Sequence, residues 1–321
     1  MIYHNLLITP YKDDTKSGAT LWSETLQSKL SISSVFHYKD LLVFHNIIKK
    51  VFVNLGNFKL HSNYTLYGNL LYNILLLSDI IFKLDFRTKV ILESSPESFL
   101  ILAEVLKHRR INYSLAMHNI ESEVPRCCRP KFFKSKNLQI SAELKAIENA
   151  EKVYVVCQKD KDEIRKKLQV KLNKVEKLLP LDFEKKQKLN LPYSTRARKK
   201  VVFTGNLNNY PTLLGLKMIL NHQKELWKEF ESFIVIGDLP KSSNNLRNMS
   251  EDNVKFTGYL PRDVYLEYIG SADLILLNSQ NKSGILTKIP ELRTISQAPI
   301  LINKEAYREE YDQYGVEFYD D

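Results

Sequence analysis

Cysteine is scarce: there are three in 321 residues, and two are the adjacent pair Cys127-Cys128. Neighbouring cysteines bridge with difficulty, so a disulfide scaffold is excluded and a reducing compartment is the default expectation. Long apolar runs are missing as well. The longest, Leu70 to Leu84, is broken by Asn73, Asp79 and Lys83, which makes it too short and too polar for a bilayer span. The opening MIYHNLLITPYKDD has no basic stretch followed by an apolar one, so no secretory leader is expected. The seven histidines are dispersed and share no metal-ligand spacing with the cysteines. What is present is ordinary for a globular chain, with 44% hydrophobic and 26% charged residues. That excludes a disordered chain, a collagen and a polytopic membrane protein. Length alone predicts about two domains.

Charge is unevenly spread. The formal net charge is +10, yet residues 126–200 hold 22 Lys and Arg against 9 Asp and Glu, while the rest of the chain has 25 against 28. One segment therefore carries the whole basic excess. It favours a polyanion, whether nucleic acid, an anionic membrane face or a phosphorylated ligand; a solvated helix surface is the plain alternative. Nucleic acid is disfavoured, because the aromatic residues Phe132, Phe133, Tyr154, Phe183 and Tyr193 are scattered through the stretch rather than interleaved on one face.

Short β-branched runs alternate with longer helical patterns. Strands are predicted at 5–9, 90–94, 113–117, 153–157, 201–204, 233–236, 254–256, 274–277 and 299–302. Helices are predicted at 20–30, 98–108, 142–150, 160–168, 211–220, 262–269 and 288–296. Several strand runs are almost continuously apolar, as expected of strands buried on both faces of a parallel sheet. The alternation predicts an α/β chain with right-handed crossovers. Pro180 to Lys200 is polar and basic, with breakers at Pro180 and Pro192, and a fresh strand and glycine turn follow at once. The expected organisation is an N-terminal domain over 1–180, a linker over 181–199 and a C-terminal domain over 200–321. Two such domains facing each other would leave a cleft at the carboxyl ends of their strands, where open α/β sheets bind ligands.

Three segments could carry chemistry. The strand at 113–117 ends in His118-Asn119-Ile120-Glu121-Ser122-Glu123. His118 there can serve as acid, base or hydrogen-bond donor, or simply cap the loop while the carboxylates open a helix. The strand at 201–204 runs into Gly205-Asn206-Leu207, with a helix start near Pro211. Backbone N–H groups at such a turn bind phosphate, although any βα turn needs a glycine. The strand at 274–277 leads into Ser283-Gly284-Ile285, a candidate nest of N–H donors. Lys288 and Glu291 follow, three apart on one helical face. They suit a diphosphate and a ribose diol, or form an ordinary surface pair. A fourth segment, Asp160-Lys161-Asp162, matches the spacing of a metal–nucleotide clasp but sits where acidic residues commonly open a helix.

Taken in order, these segments resemble a glycosyltransferase of the two-domain GT-B type, similar to the family 4 retaining enzymes. The resemblance rests on HNIESE at 118–123, AEKVYVVC at 150–157, FTGNLNNYPT at 203–212 and the run from NVKFTGYLPRD at 253–263 to SGILTKIPEL at 283–292. It implies two Rossmann-like domains facing across a cleft, the first binding an acceptor and the second a nucleotide-sugar donor. Glu291 matches the carboxylate that binds the donor ribose, and Ser283 the first position of the same motif. Lys288 matches the cation at the diphosphate, and Gly205, with Asn206 beside it, the turn there. Gly284 and Ile285 lie within the donor motif, and Gly18 falls at the phosphate loop of the first domain. His118 matches the acceptor-domain histidine near the transferred sugar, with Asn119 and Glu121 on the acceptor side.

The implied activity is sugar transfer to a glycan or lipid-diphosphate-linked acceptor, with retention and without a metal or other cofactor. The setting would be surface polysaccharide or glycoconjugate synthesis, cytoplasmic or peripheral on the inner face of a membrane. Residues 126–200 would then meet an anionic membrane surface. The rival expectations are a nucleotide-sugar epimerase and a non-catalytic sugar-nucleotide-binding partner in a glycan assembly complex. The chain differs from the family pattern in three ways: a single glycine at Ser17-Gly18-Ala19, no arginine shortly after Gly205, and a shortened stretch after the strand at 299–302.

Overall fold

The computed structural model describes residues 4–9, 18–37, 59–77, 84, 88–94, 97–125, 130–168, 174–180, 183, 200–222, 230–243, 245–248 and 253–319. The expected linker at 181–199, apart from Phe183, lies outside the described residues, as do Cys127-Cys128 and the loop before Gly18. By its contacts the chain divides into two compact units, residues 1–122 with 128–181 and residues 123–127 with 182–321.

The first unit holds one sheet of six strands: β1 (His4–Thr9), β2 (Ser34–His37), β3 (Thr88–Glu93), β4 (Tyr113–Met117), β5 (Val153–Val155) and β6 (Val175–Lys177). All pairings are parallel, in the order β2-β1-β3-β4-β5-β6. The helices are α1 (Gly18–Lys29), α2 (Leu66–Leu76), α3 (Ser98–His108), α4 (Lys136–Asn149) and α5 (Gln158–Leu168). The core follows from the strand sequences. Val90, Leu92, Leu115, Met117, Val153 and Val155 are all buried, and they join Ile101, Val105 and Leu106 of α3 in one cluster. Each such side chain contributes roughly 1.5–3 kcal/mol by leaving water. Local signals set the helix starts. The Thr65 side chain accepts from the Gly68 N–H ahead of α2, and Ser135 accepts from that of Leu138 ahead of α4.

The second unit repeats the plan with β7 (Lys200–Thr204), β8 (Ser232–Ile236), β9 (Val254–Gly258), β10 (Leu274–Leu277), β11 (Ile300–Asn303) and β12 (Val316–Tyr319). Its order, β12-β11-β10-β7-β8-β9, is again parallel throughout and is that of a doubly wound dinucleotide-binding sheet. The helices are α6 (Tyr210–His222), the short α7 (Asn245–Asn248), α8 (Arg262–Gly270) and α9 (Lys288–Ile295). Val201, Phe203, Phe233, Val235, Leu274 and Leu276 close its core against Leu216 and Ile219 of α6.

Several elements depart from the sequence expectation. Strands β2, β6 and β12 and helix α2 were not foreseen. α4 starts at Lys136 rather than 142, because the Ser135 cap sets its start ahead of any apolar periodicity. β5 stops at Val155, although Val156 and Cys157 are also buried. After β11 the chain makes two short 3-10 turns, Lys304–Ala306 and Glu309–Tyr314, and returns as the edge strand β12. No helix among the described residues is long and apolar enough to cross a membrane.

Candidate functional site

An open parallel sheet forms its ligand site where the strand order reverses, at the carboxyl ends. In the second unit that point lies between β7 and β10, whose register pairs Phe203 with Leu276. β7 ends at Thr204, and Gly205 turns the chain. A Cβ there would stand 2.6 Å from Cγ2 of Thr212, so a larger residue would have to displace that side chain on α6. Asn206 holds the turn: its Oδ1 accepts from the Asn208 N–H at 3.0 Å and its carbonyl from the Asn209 N–H at 2.9 Å. The Pro211 carbonyl, at the start of α6, accepts from the Gln280 N–H at 3.1 Å, joining that start to the loop leaving β10.

That loop, residues 278–287, is pinned by buried polar groups. The Ser279 N–H donates to Asn303 Oδ1 at 3.0 Å, and the Leu286 N–H to the Tyr311 hydroxyl at 2.6 Å. Arg308, only 2% exposed, donates from Nε to the Gly284 carbonyl at 2.8 Å and from Nη2 to the Asn281 carbonyl at 3.2 Å. Gly284 sits at φ +80°, a left-handed conformation that favours glycine. The Ser283 N–H donates to Asn281 Oδ1 at 3.4 Å, so part of the expected donor nest is engaged inside the loop. Ser283 and Gly284 are buried and Ile285 is half-buried.

Lys288 and Glu291 share the first turn of α9. Glu291 forms its ion pair with Arg262, from the first turn of α8, rather than with Lys288. Both cations lie at one aromatic ring: the Arg262 guanidinium carbon is 5.6 Å and Lys288 Nζ 5.7 Å from the centre of Tyr265. The Lys288 side chain reaches solvent, yet its amine is held below the usual lysine range. Desolvation is the main cause, Arg262 reinforces it and Glu291 opposes it. Burial pushes the Tyr265 phenol up to about 12. Arg262 and Tyr265 were missed in the sequence; a basic residue three before an aromatic, at a helix start, was the available signal.

In the first unit the order reverses between β1 and β3, which pair Ile8 with Leu92. Glu93, 2% exposed, ends β3. Its Oε2 accepts from Ser23 Oγ of α1 at 2.6 Å, and its Oε1 lies 2.7 Å from His118 Nε2. Thr9, at the end of β1, has Oγ1 3.4 Å from Ser23 Oγ. The His118 N–H donates to Ser94 Oγ at 3.0 Å, and its ring meets Trp22 edge-on with centroids 6.0 Å apart. Asn119 is half-buried beside it, and Gly18 is the first residue of α1. Glu121 is buried rather than presented to solvent. Glu143 of α4 accepts the N–H groups of Glu121 and Ser122 at 2.6 and 3.0 Å, and burial pushes its carboxyl up to about 7. Glu93 also escaped the sequence reading, although an apolar strand closing on a lone carboxylate announced it.

Among the described residues no three His, Cys, Asp or Glu side chains gather as a metal site. In the Asp160-Lys161-Asp162 segment, Asp162 accepts from Gln158 Nε2 at 2.9 Å and sits 3.8 Å from Arg165 Nη1, both on its own helix.

No protein-family model matches the chain, and no curated protein does. Solved structures do match. An α,α-trehalose 6-phosphate synthase from Burkholderia multivorans aligns with a TM-score of 0.58 over 100% of this chain and 86% of its own, at 8% identity. A trehalose-6-phosphate synthase studied for glycosyl transfer with retention gives 0.57 over 99% and 87%, at 9% identity. Anabaena HepE, solved in complex with UDP, gives 0.55 over 94% and 80%, at 14% identity. The chain therefore has the fold of the GT-B glycosyltransferases.

Proposed function

We propose that this chain is a glycosyltransferase that binds a nucleotide-sugar on its second unit and a hydroxyl acceptor on its first. The observation that carries the reading is the cluster of Lys288, Arg262, Tyr265 and Glu291 at the point where the second sheet reverses its order. Two cations there suit a diphosphate and one carboxylate suits a ribose diol. HepE with UDP and the UDP-forming trehalose-phosphate synthases share the fold, which supports a nucleotide-sugar as donor.

In the proposed reaction, which follows the family 4 pattern, the bond from the anomeric carbon to the diphosphate oxygen breaks. The acceptor oxygen bonds to that carbon on the same face, and its proton passes to the departing phosphate. Configuration is retained. Lys288 holds the growing negative charge in place of a metal, while Arg262, paired with Glu291, adds to ground-state binding of the diphosphate. His118 hydrogen-bonds the transferred sugar. The acceptor we favour is a glycan or a lipid-linked diphosphate in glycoconjugate synthesis, met at an anionic membrane face. Supporting this, Leu60, Leu66 and Tyr67 are 77%, 75% and 63% exposed, with Lys131 Nζ 5.8 Å from the Tyr67 ring centre. Residues 59–68 and 130–137 contain no acidic residue. Exposed apolar and aromatic groups among lysines suit an anionic interface.

The test is a thermal-shift screen of UDP-, GDP-, ADP- and dTDP-sugars. Ligand at 100 times its Kd adds about 2.7 kcal/mol to stability. One nucleotide class should raise the Tm by a few degrees, and Glu291→Ala should abolish the rise. A flat screen on the wild-type chain would overturn the reading.

A further inference from the structure

We infer that Glu93 is a positioning residue that fixes the tautomer and orientation of His118, with Ser23 fixing Glu93 in turn. The inference rests on the transferase reading only for what His118 acts upon; the relay itself stands on geometry. A buried carboxylate is stable only where donors surround it. Both Glu93 oxygens are engaged, Oε2 by the Ser23 hydroxyl at 2.6 Å and Oε1 by His118 Nε2 at 2.7 Å.

An ionised carboxylate can only accept. Paired with Glu93 as a carboxylate, Nε2 is the nitrogen that we assign the hydrogen. Trp22 packs edge-on against one side of the ring, and the backbone N–H of His118 is tied to Ser94 Oγ.

Placement argues against a role in packing alone. Glu93 ends β3 with Ser94 just after it, Thr9 ends β1 and His118 leaves β4, so the relay spans three neighbouring strand ends at the point where the sheet order reverses. That is where a doubly wound sheet presents its ligand site. For packing alone, a hydrophobic residue of similar volume would serve as well as a buried charged group. Ser23 further ties the relay to α1, whose first residue is Gly18. A hydrogen-bonded carboxylate that holds an imidazole in one tautomer is a general device of acid–base sites.

The experiment pairs kinetics with 15N NMR of histidine-labelled protein. In the wild type, the His118 signals, assigned by their loss in His118→Ala, are expected in the Nε2–H form at neutral pH. Glu93→Gln keeps the volume but removes the charge and offers His118 Nε2 an amide that can either accept or donate, so the preference for one tautomer should weaken. With donor and acceptor supplied, kcat should fall about 100-fold while the donor KM stays within about threefold. Glu93→Asp should recover part of the rate. Finding the Nδ1–H form in the wild type would overturn the inference without any variant needing to fold. So would a Glu93→Gln chain with the wild-type tautomer and kcat. A chain that shows the tautomer change but binds no nucleotide-sugar would sink the transferase reading and leave the relay standing.

Discussion

Lys288 and Arg262 come from two helices to one tyrosine ring, and their substitutions should differ in kind. Lys288→Ala removes a preorganised cation and should cost about 10²–10³ in kcat with an unchanged Tm. Arg262 is paired with Glu291 at the surface, where such a pair contributes about 0.2–1 kcal/mol. Arg262→Ala should therefore raise the donor KM by about fivefold or less, measured in the same assay. A loss as large for Arg262 as for Lys288 would mean that both touch the leaving group. At this scale Lys288, Glu291, Gly205 and His118 were legible because each lies in a contiguous motif after a strand. Arg262, Tyr265 and Glu93 were not, because crossovers bring them in from other elements. Asn206 was read as a donor ligand, and the turn claims its side-chain oxygen.

Elements with strong internal signals were readable and edge elements were not. Helix α3 matches its expected span, Ser98–His108, because a dense apolar run opens just after Pro96 and closes on basic residues. The edge strands β2 and β12 are four residues each, SVFH and VEFY, and owe their form to a neighbour rather than to periodicity. Two predictions belong here. Arg308→Ala strips the Gly284 and Asn281 carbonyls of their buried donor and should cost about 3 kcal/mol or more in urea unfolding. The second concerns Glu143, whose carboxyl rises from the ordinary 4.5 to about 7 in the fold. Between those values the folded chain binds more protons than the unfolded one. Stability contributed by this group is full below pH 4.5 and declines as pH rises toward 7. Urea midpoints taken between pH 4.5 and 8 should show the decline, and Glu143→Gln should flatten it.

On the scale of the whole molecule the two units have separate sheets and separate cores. Multidomain chains commonly depart from two-state unfolding. Calorimetry should accordingly resolve two components, and a nucleotide-sugar should raise only one. Vesicles bearing anionic lipid should pull down the chain in low salt, and Leu66→Ser with Tyr67→Ser should weaken this without altering nucleotide binding. The α/β architecture was legible throughout because parallel strands buried on both faces write themselves as apolar runs. Strand order was not, since pairing is a non-local property.

The loop between β10 and α9 takes its shape from residues that follow it: Asn303, Arg308 and Tyr311. A nucleotide meeting it finds a surface already ordered. Its binding should carry the heat-capacity change of the area it covers and nothing more, with no extra term from a segment condensing around it. Under the proposed function, the residues after β11 thereby belong to the nucleotide's seat.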